Sequence, residues 1–209
     1  MSSTNTSAPA RETPGPGRPP SDASERIVEA TIEILSSDGY AGLTTARVAA
    51  LSGQNKAMIS YYFGSKSGLV SEVARQVAGV VVDEILGRIE HPENANELVQ
   101  GLVGGIGGLI ERDSRLAQVY IDLASRSGTD SEPRRILDEM KSRYREILGD
   151  LLANLAEPPA ADRIGPISTY LIASMEGFLL EQLDRGETDD LIKAREILVT
   201  SAEAAVRNG

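Results

Sequence analysis

At 209 residues, 41% of them hydrophobic and 25% charged, the chain is long enough for one or two domains with a real core. It has no Cys, which excludes a disulfide framework and thiolate chemistry, and no apolar run near the roughly 18 residues of a membrane span. The net charge of −10 is uneven: residues 1–66 hold six basic and six acidic side chains, so the whole acidic excess lies in 67–209.

Residues 1–20 are too rich in Ser, Thr, Pro and Gly to bury anything and are expected to form a disordered tail. They contain no apolar signal-peptide core, so a cytoplasmic location is expected. Asp22 with Glu25 makes a helix start signal. Ile27, Ala30, Thr31, Ile34 and Leu35 then recur at helical spacing as the core face of a first helix ending near Asp38. Gly39 stops it, and Tyr40 is expected to pack on the core.

The stretch from Leu43 to Leu69 reads LTTARVAALSGQNKAMISYYFGSKSGL. Thr44 is a good N-cap for a helix whose inner face is Leu43, Val48, Ala49 and Leu51. Gly53 sits where that helix should stop, in the left-handed conformation that costs Gly nothing. Asn55 then caps a short helix, Lys56 to Tyr62. Ile59 and Phe63 turn inward, whereas Lys56, Ala57, Met58, Ser60 and Tyr61 stay largely outside. That is the arrangement of a helix-turn-helix, whose second helix enters a DNA major groove. Ser65 caps the next helix, with Lys66 in its first turn. A Lys there opposes the helix dipole, but it fits a DNA phosphate held together with the exposed N–H groups of the helix end.

At these residues the sequence resembles the TetR family of one-component bacterial transcriptional regulators. The likeness covers about Ile27 to Leu69 and joins the Thr pair, the turn Gly, the aromatic ending and the Ser-Lys cap at fixed spacing. Gln54 and Ser60 depart from the usual family residues, which leaves the operator sequence open. On this reading Lys56, Ala57, Met58 and Tyr61 read base edges, with Asn55 and Ser60 beside them. Thr44, Thr45, Tyr62 and Lys66 hold phosphates and fix register. Arg18, within Gly17-Arg18-Pro19, is placed to reach a minor groove.

A long helix from Lys66 to about Glu90 carries Leu69, Val73, Val77, Val80, Val81, Ile85 and Ile89, and His91-Pro92 is expected to end it. With one end at the DNA and the other inside the body, it is the natural lever between the two. Further helical patterns follow at 94–111, 115–126, 133–155, 164–185 and 188–207, and no strand pattern occurs. Gly101 to Gly108 holds five glycines but lacks a phosphate loop's Gly-Lys-Ser/Thr ending. It reads as a helix suited to close packing or motion beside a cavity. The last two helices (about 164–207) are apolar on more than one face, as expected of the four-helix interface of a homodimer. The resemblance implies the same.

The sequence holds no visible catalytic constellation: one isolated His, no G-x-S-x-G, and acidic pairs that read as solvated helix faces or caps. His91 has no second His or Cys to share a metal, and neither a metal nor a cofactor is expected. The fold expected is all-α: a three-helix DNA-binding domain at 21–66 and a larger ligand-binding and dimerisation domain at 67–209. The function expected is a homodimeric repressor, released from a near-palindromic double-stranded operator by a small-molecule effector. Tyr120, Met140, Tyr144, Tyr170, Met175 and Phe178 are the candidate pocket residues. A helical ligand-binding or adaptor protein without specific DNA binding is the alternative.

Overall fold

The structure, a computed structural model, describes residues 22–87, 89, 91–125 and 131–207. The expected tail, Arg18 within it, and the expected helix break at Gly128-Thr129 lie outside the described residues. Among the described residues there are eight helices and no strands: α1 (Asp22–Gly42), α2 (Thr45–Ser52), α3 (Lys56–Phe63), α4 (Lys66–Leu86), α5 (Ala95–Ser125), α6 (Ser131–Ala153), α7 (Ala161–Arg185) and α8 (Asp189–Arg207). The all-α fold with an N-terminal helix-turn-helix is thus as the sequence indicates.

Caps set most of the early boundaries. Gly39 interrupts α1 with φ 62°, a left-handed backbone that other residues adopt only under strain. The Thr44 hydroxyl accepts the Arg47 N–H, the Asn55 side chain accepts that of Met58, and the Ser65 hydroxyl accepts that of Gly68. Gly53, at φ 66° and ψ 19°, ends α2 as expected. At α5 the Asn94 side chain accepts the Glu97 N–H, while the Glu97 carboxylate accepts the N–H of Glu93, one residue before the cap.

One continuous core runs from α1 to α8. The expected inner face of α1 is buried throughout, and Val28 and Ile32 are buried as well, because α1 also packs on α5. In α2 one expectation is corrected: Leu51 is 55% exposed, and Ser52 takes the inner position. Ser is tolerated there because its hydroxyl donates to the Val48 carbonyl at 2.7 Å. Met58, expected outside, is half-buried against the core.

The lever helix is shorter than expected. α4 ends at Gly87, whose N–H donates to the Asp83 carbonyl, four residues before His91. Its 21 residues span about 30 Å at about 1.5 Å per residue. It still joins the helix-turn-helix to the body, with Leu69, Val73, Val77, Val81 and Ile85 buried in series. The Gly-rich run is helical inside α5, and Gly105 packs directly on α4, where an added Cβ would lie 2.4 Å from the Ile85 Cα. α5 itself bends at Asp113, which has φ −164° and ψ 96°, so its two halves run in different directions.

Candidate nucleic-acid interface and effector cavity

The helix-turn-helix presents one polar surface. Lys56, Ala57, Ser60 and Tyr61 on α3 are exposed, with Thr44 and Asn55 exposed at the starts of α2 and α3. Tyr61 is 43% exposed and stacks edge-on against Tyr62, whose ring in turn leans on Phe63. Thr45 and Tyr62 are half-buried at the margin, so only part of each side chain reaches the surface. The Asn55 carboxamide oxygen is committed to its cap at 2.9 Å. The Asn55 NH2 group is not used by the cap and is the donor it can offer a base. Met58 offers only its outer edge.

The Lys66 ammonium lies 4.0 Å from the centre of the Tyr40 ring, a cation–π contact that holds the charge at the α4 N-terminus. Tyr40 packs on the core as expected, and supports Lys66 as well. Its N–H donates to Asp122 of α5 at 3.2 Å. Sequence reasoning missed this role, because the contact spans two elements distant in sequence.

Between this unit and the body lies an ion-pair cluster. Arg115 of α5 reaches Glu29 at 2.7 Å and Glu33 at 3.0 Å on α1, and binds Asp113 at 2.7 Å. Hydrogen bonding from Arg115 holds the Asp113 carboxyl below its ordinary 3.8. Hydrogen bonding from Arg47 does the same for Asp38. A depressed folded value means stability that is complete above 3.8 and lost as pH falls through it toward the folded value. We expect the urea midpoint to fall as pH drops below that point and the fall to flatten in Arg115→Met. An equal acid dependence in the variant would remove Arg115 from the account.

In the body, Val81, Ile85, Leu102, Ile106, Tyr120, Tyr144, Leu148, Ile172, Met175, Glu176 and Leu179 enclose a cavity of about 40 Å³ between α4, α5, α6 and α7. Of the expected pocket residues, Tyr120, Tyr144 and Met175 line it. The other three do not: Met140 is buried elsewhere, Phe178 is half-buried off the lining, and Tyr170 is 40% exposed. On α7 the lining face is 172, 175, 176 and 179, and 170 lies on the opposite side of the helix. Sequence reasoning also missed Glu176, which accepts from the Tyr120 hydroxyl and from Lys141 at 2.7 Å. The signal was a lone carboxylate one turn from Ile172 and Leu179. Burial, with Glu176 next, raises the Tyr120 phenol far above its usual range. Burial does the same to Tyr144, reinforced by the charges of Glu176 and Asp83.

Among the described residues no group of His, Cys, Asp and Glu could hold a metal ion, and no helix is long and apolar enough to cross a membrane.

The capped α2–turn–α3 unit, with its exposed polar face, is a helix-turn-helix carried on a larger helical body. Residues 27–73 match the family model for bacterial regulatory proteins of the tetR family. Over these residues the chain is similar to the TetR family. It is 32% identical over 82 residues to the HTH-type transcriptional regulator BetI of Escherichia coli, a match covering 38% of this chain and 42% of BetI. The chain therefore matches less than half the length of that curated relative. A transcriptional regulator from Rhodococcus sp. Rha1 has a similar fold, with TM-score 0.75, 18% identity, and coverage of 88% of this chain and 97% of that one. FadR from Bacillus subtilis, solved in complex with stearoyl-CoA, superposes with TM-score 0.71 at 17% identity over 87% of this chain and 98% of its own. All three of these similar proteins are transcriptional regulators.

Proposed function

We propose that the protein is a sequence-specific DNA-binding regulator: a homodimeric repressor released from a near-palindromic operator by a small-molecule effector. The observation that carries this is the exposed α3 surface of Lys56, Ala57, Ser60 and Tyr61, flanked by Thr44 and Lys66 at two helix N-termini. N-terminal N–H groups and a fixed ammonium suit phosphates, and the α3 side chains suit base edges. The division into a DNA-binding unit at 21–66 and an effector and dimerisation body at 67–209 belongs to this reading, as does a cytoplasmic location. The acidic body favours approach to DNA by its opposite end.

Release follows from the cavity. Val81 and Ile85 belong to α4, whose first residue is Lys66. A drug-sized ligand needs about 300–1,000 Å³, so binding must push α4 and its neighbours apart. Such a ligand favours the DNA-free state by its differential affinity for the expanded body. FadR, of similar fold, binds stearoyl-CoA, which supports an effector role for a body of this architecture.

The test is a titration of the purified protein with the DNA flanking its own gene, at varied salt and with competitor DNA. Lys66→Ala should weaken binding to every sequence and flatten the salt slope. Lys56→Ala and Met58→Ala should instead change the preferred base at defined positions, by about 1–3 kcal/mol per good contact. A uniform loss in those two variants would contradict base readout. No saturable complex with any site from a random-sequence selection would leave the helical adaptor.

A further inference from the structure

The cavity has a polar feature that the protein itself does not satisfy. The Tyr144 hydroxyl is buried with no hydrogen-bond partner among the described residues, on a side chain only 7% exposed that lines the cavity. A buried hydroxyl left unpaired costs free energy unless something else bonds to it. The rest of the lining is apolar apart from Tyr120 and Glu176, and these two already bond to each other. Glu176 is also paired with Lys141, whose side chain is 19% exposed. The one carboxylate in the lining is therefore neutralised from within the fold.

From this arrangement we propose that the effector is a neutral, mainly apolar molecule with a single acceptor oxygen, of ketone, ester or ether type, bonded by the Tyr144 hydroxyl. Four observations select this chemistry. Apolar walls from four helices demand an apolar body. Burial keeps the Tyr144 phenol protonated and therefore a donor. Among the described residues no Lys or Arg lines the cavity to pair with an anionic ligand. The Lys141 pairing leaves no free carboxylate to draw a cation. The inference rests on the cavity's being the effector site.

The experiment uses the full chain and three homologous probe series of equal chain length: 2-alkanones, alkyl carboxylates and alkylammonium ions. Each is assayed by the concentration dependence of the Tm rise, which reports affinity for the folded state. The 2-alkanones should stabilise the protein most. Tyr144→Phe should fold with an unchanged or higher Tm, since it removes an unpaired buried hydroxyl. It should weaken alkanone binding by roughly three- to tenfold, the worth of one hydrogen bond. Carboxylates or ammonium ions binding as well as alkanones, or Tyr144→Phe binding alkanones as tightly as the parent, would overturn the ligand chemistry while leaving the cavity an effector site. Stabilisation by none of the three series would overturn both.

Discussion

Replacing Ile197 and Leu180 together by Asp is expected to yield a folded monomer whose operator affinity is lower by about 100-fold or more. Ile197 is 67% exposed, Leu180 52%, Ile192 43% and Tyr170 40%, and all four lie on α7 and α8. Single exposed apolar residues are ordinary, but Tyr170 and Leu180 share one side of α7, and with Ile197 of the adjacent α8 they are the side chains the proposed homodimer would cover. Pro166, Ala173 and Gly177 are exposed on the same side of α7 as Tyr170 and Leu180, and their small side chains permit close approach by a second copy. In a two-fold dimer the second recognition helix binds at an effective concentration set by the first, and this gain vanishes in a monomer. Sedimentation and DNA titration of the same sample give the answer. A persistent dimer, or a monomer with full operator affinity, would move the interface elsewhere.

Gly105 should be hard to replace, because it is the glycine at which α4 and α5 touch backbone to backbone. A Cβ there would lie 2.4 Å from the Ile85 Cα, 2.7 Å from the Glu84 carbonyl oxygen and 2.9 Å from that of Ile85. All three are backbone atoms, so the clash is relieved only if α4 and α5 separate. Gly105→Ala is expected to destabilise by about 1–3 kcal/mol despite the gain in helix propensity, and Gly105→Val by more. Gly104 and Gly107, in the same helix, face open space. Ala at either should stabilise by roughly 0.5–1 kcal/mol. Urea denaturation of the three Ala variants separates the cases. Equal stability at 104, 105 and 107 would mean that the two helices do not approach as closely as described. The Leu102 and Ile106 side chains beside Gly105 line the cavity, so the contact also fixes where its wall stands.

Local chemistry was legible in the sequence and long-range geometry was not. Thr44, Asn55, Ser65 and Gly53 act on their own neighbours, and a cap or a left-handed stop can be read from a few adjacent residues. The inner face of α1 was legible for the same reason. Val28 and Ile32 were not, because nothing within α1 announces that α5 will cover a second face. Hydrophobicity alone misplaced Leu51, because a Ser bonded to its own helix can take the inner position. Bulky residues likewise misled the choice of pocket lining: Tyr170 and Phe178 stand out in sequence, yet the face of α7 that meets α5 and α6 is set by packing. The pairing of Lys141 with Glu176 joins two helices across more than thirty residues. No local pattern carries it.

The bend at Asp113 has a mechanical meaning. The first half of α5 packs along α4, while the second half carries Arg115, clamped to Glu29 and Glu33, and Asp122, bonded to the Tyr40 backbone. The reading head is thus bolted to its mount at two places, once through α4 and once through this elbow. A head on a single pivot would wobble, and the distance between the two heads of the homodimer proposed above would be blurred. With two struts it behaves as a braced linkage, which holds that distance until both struts shift together.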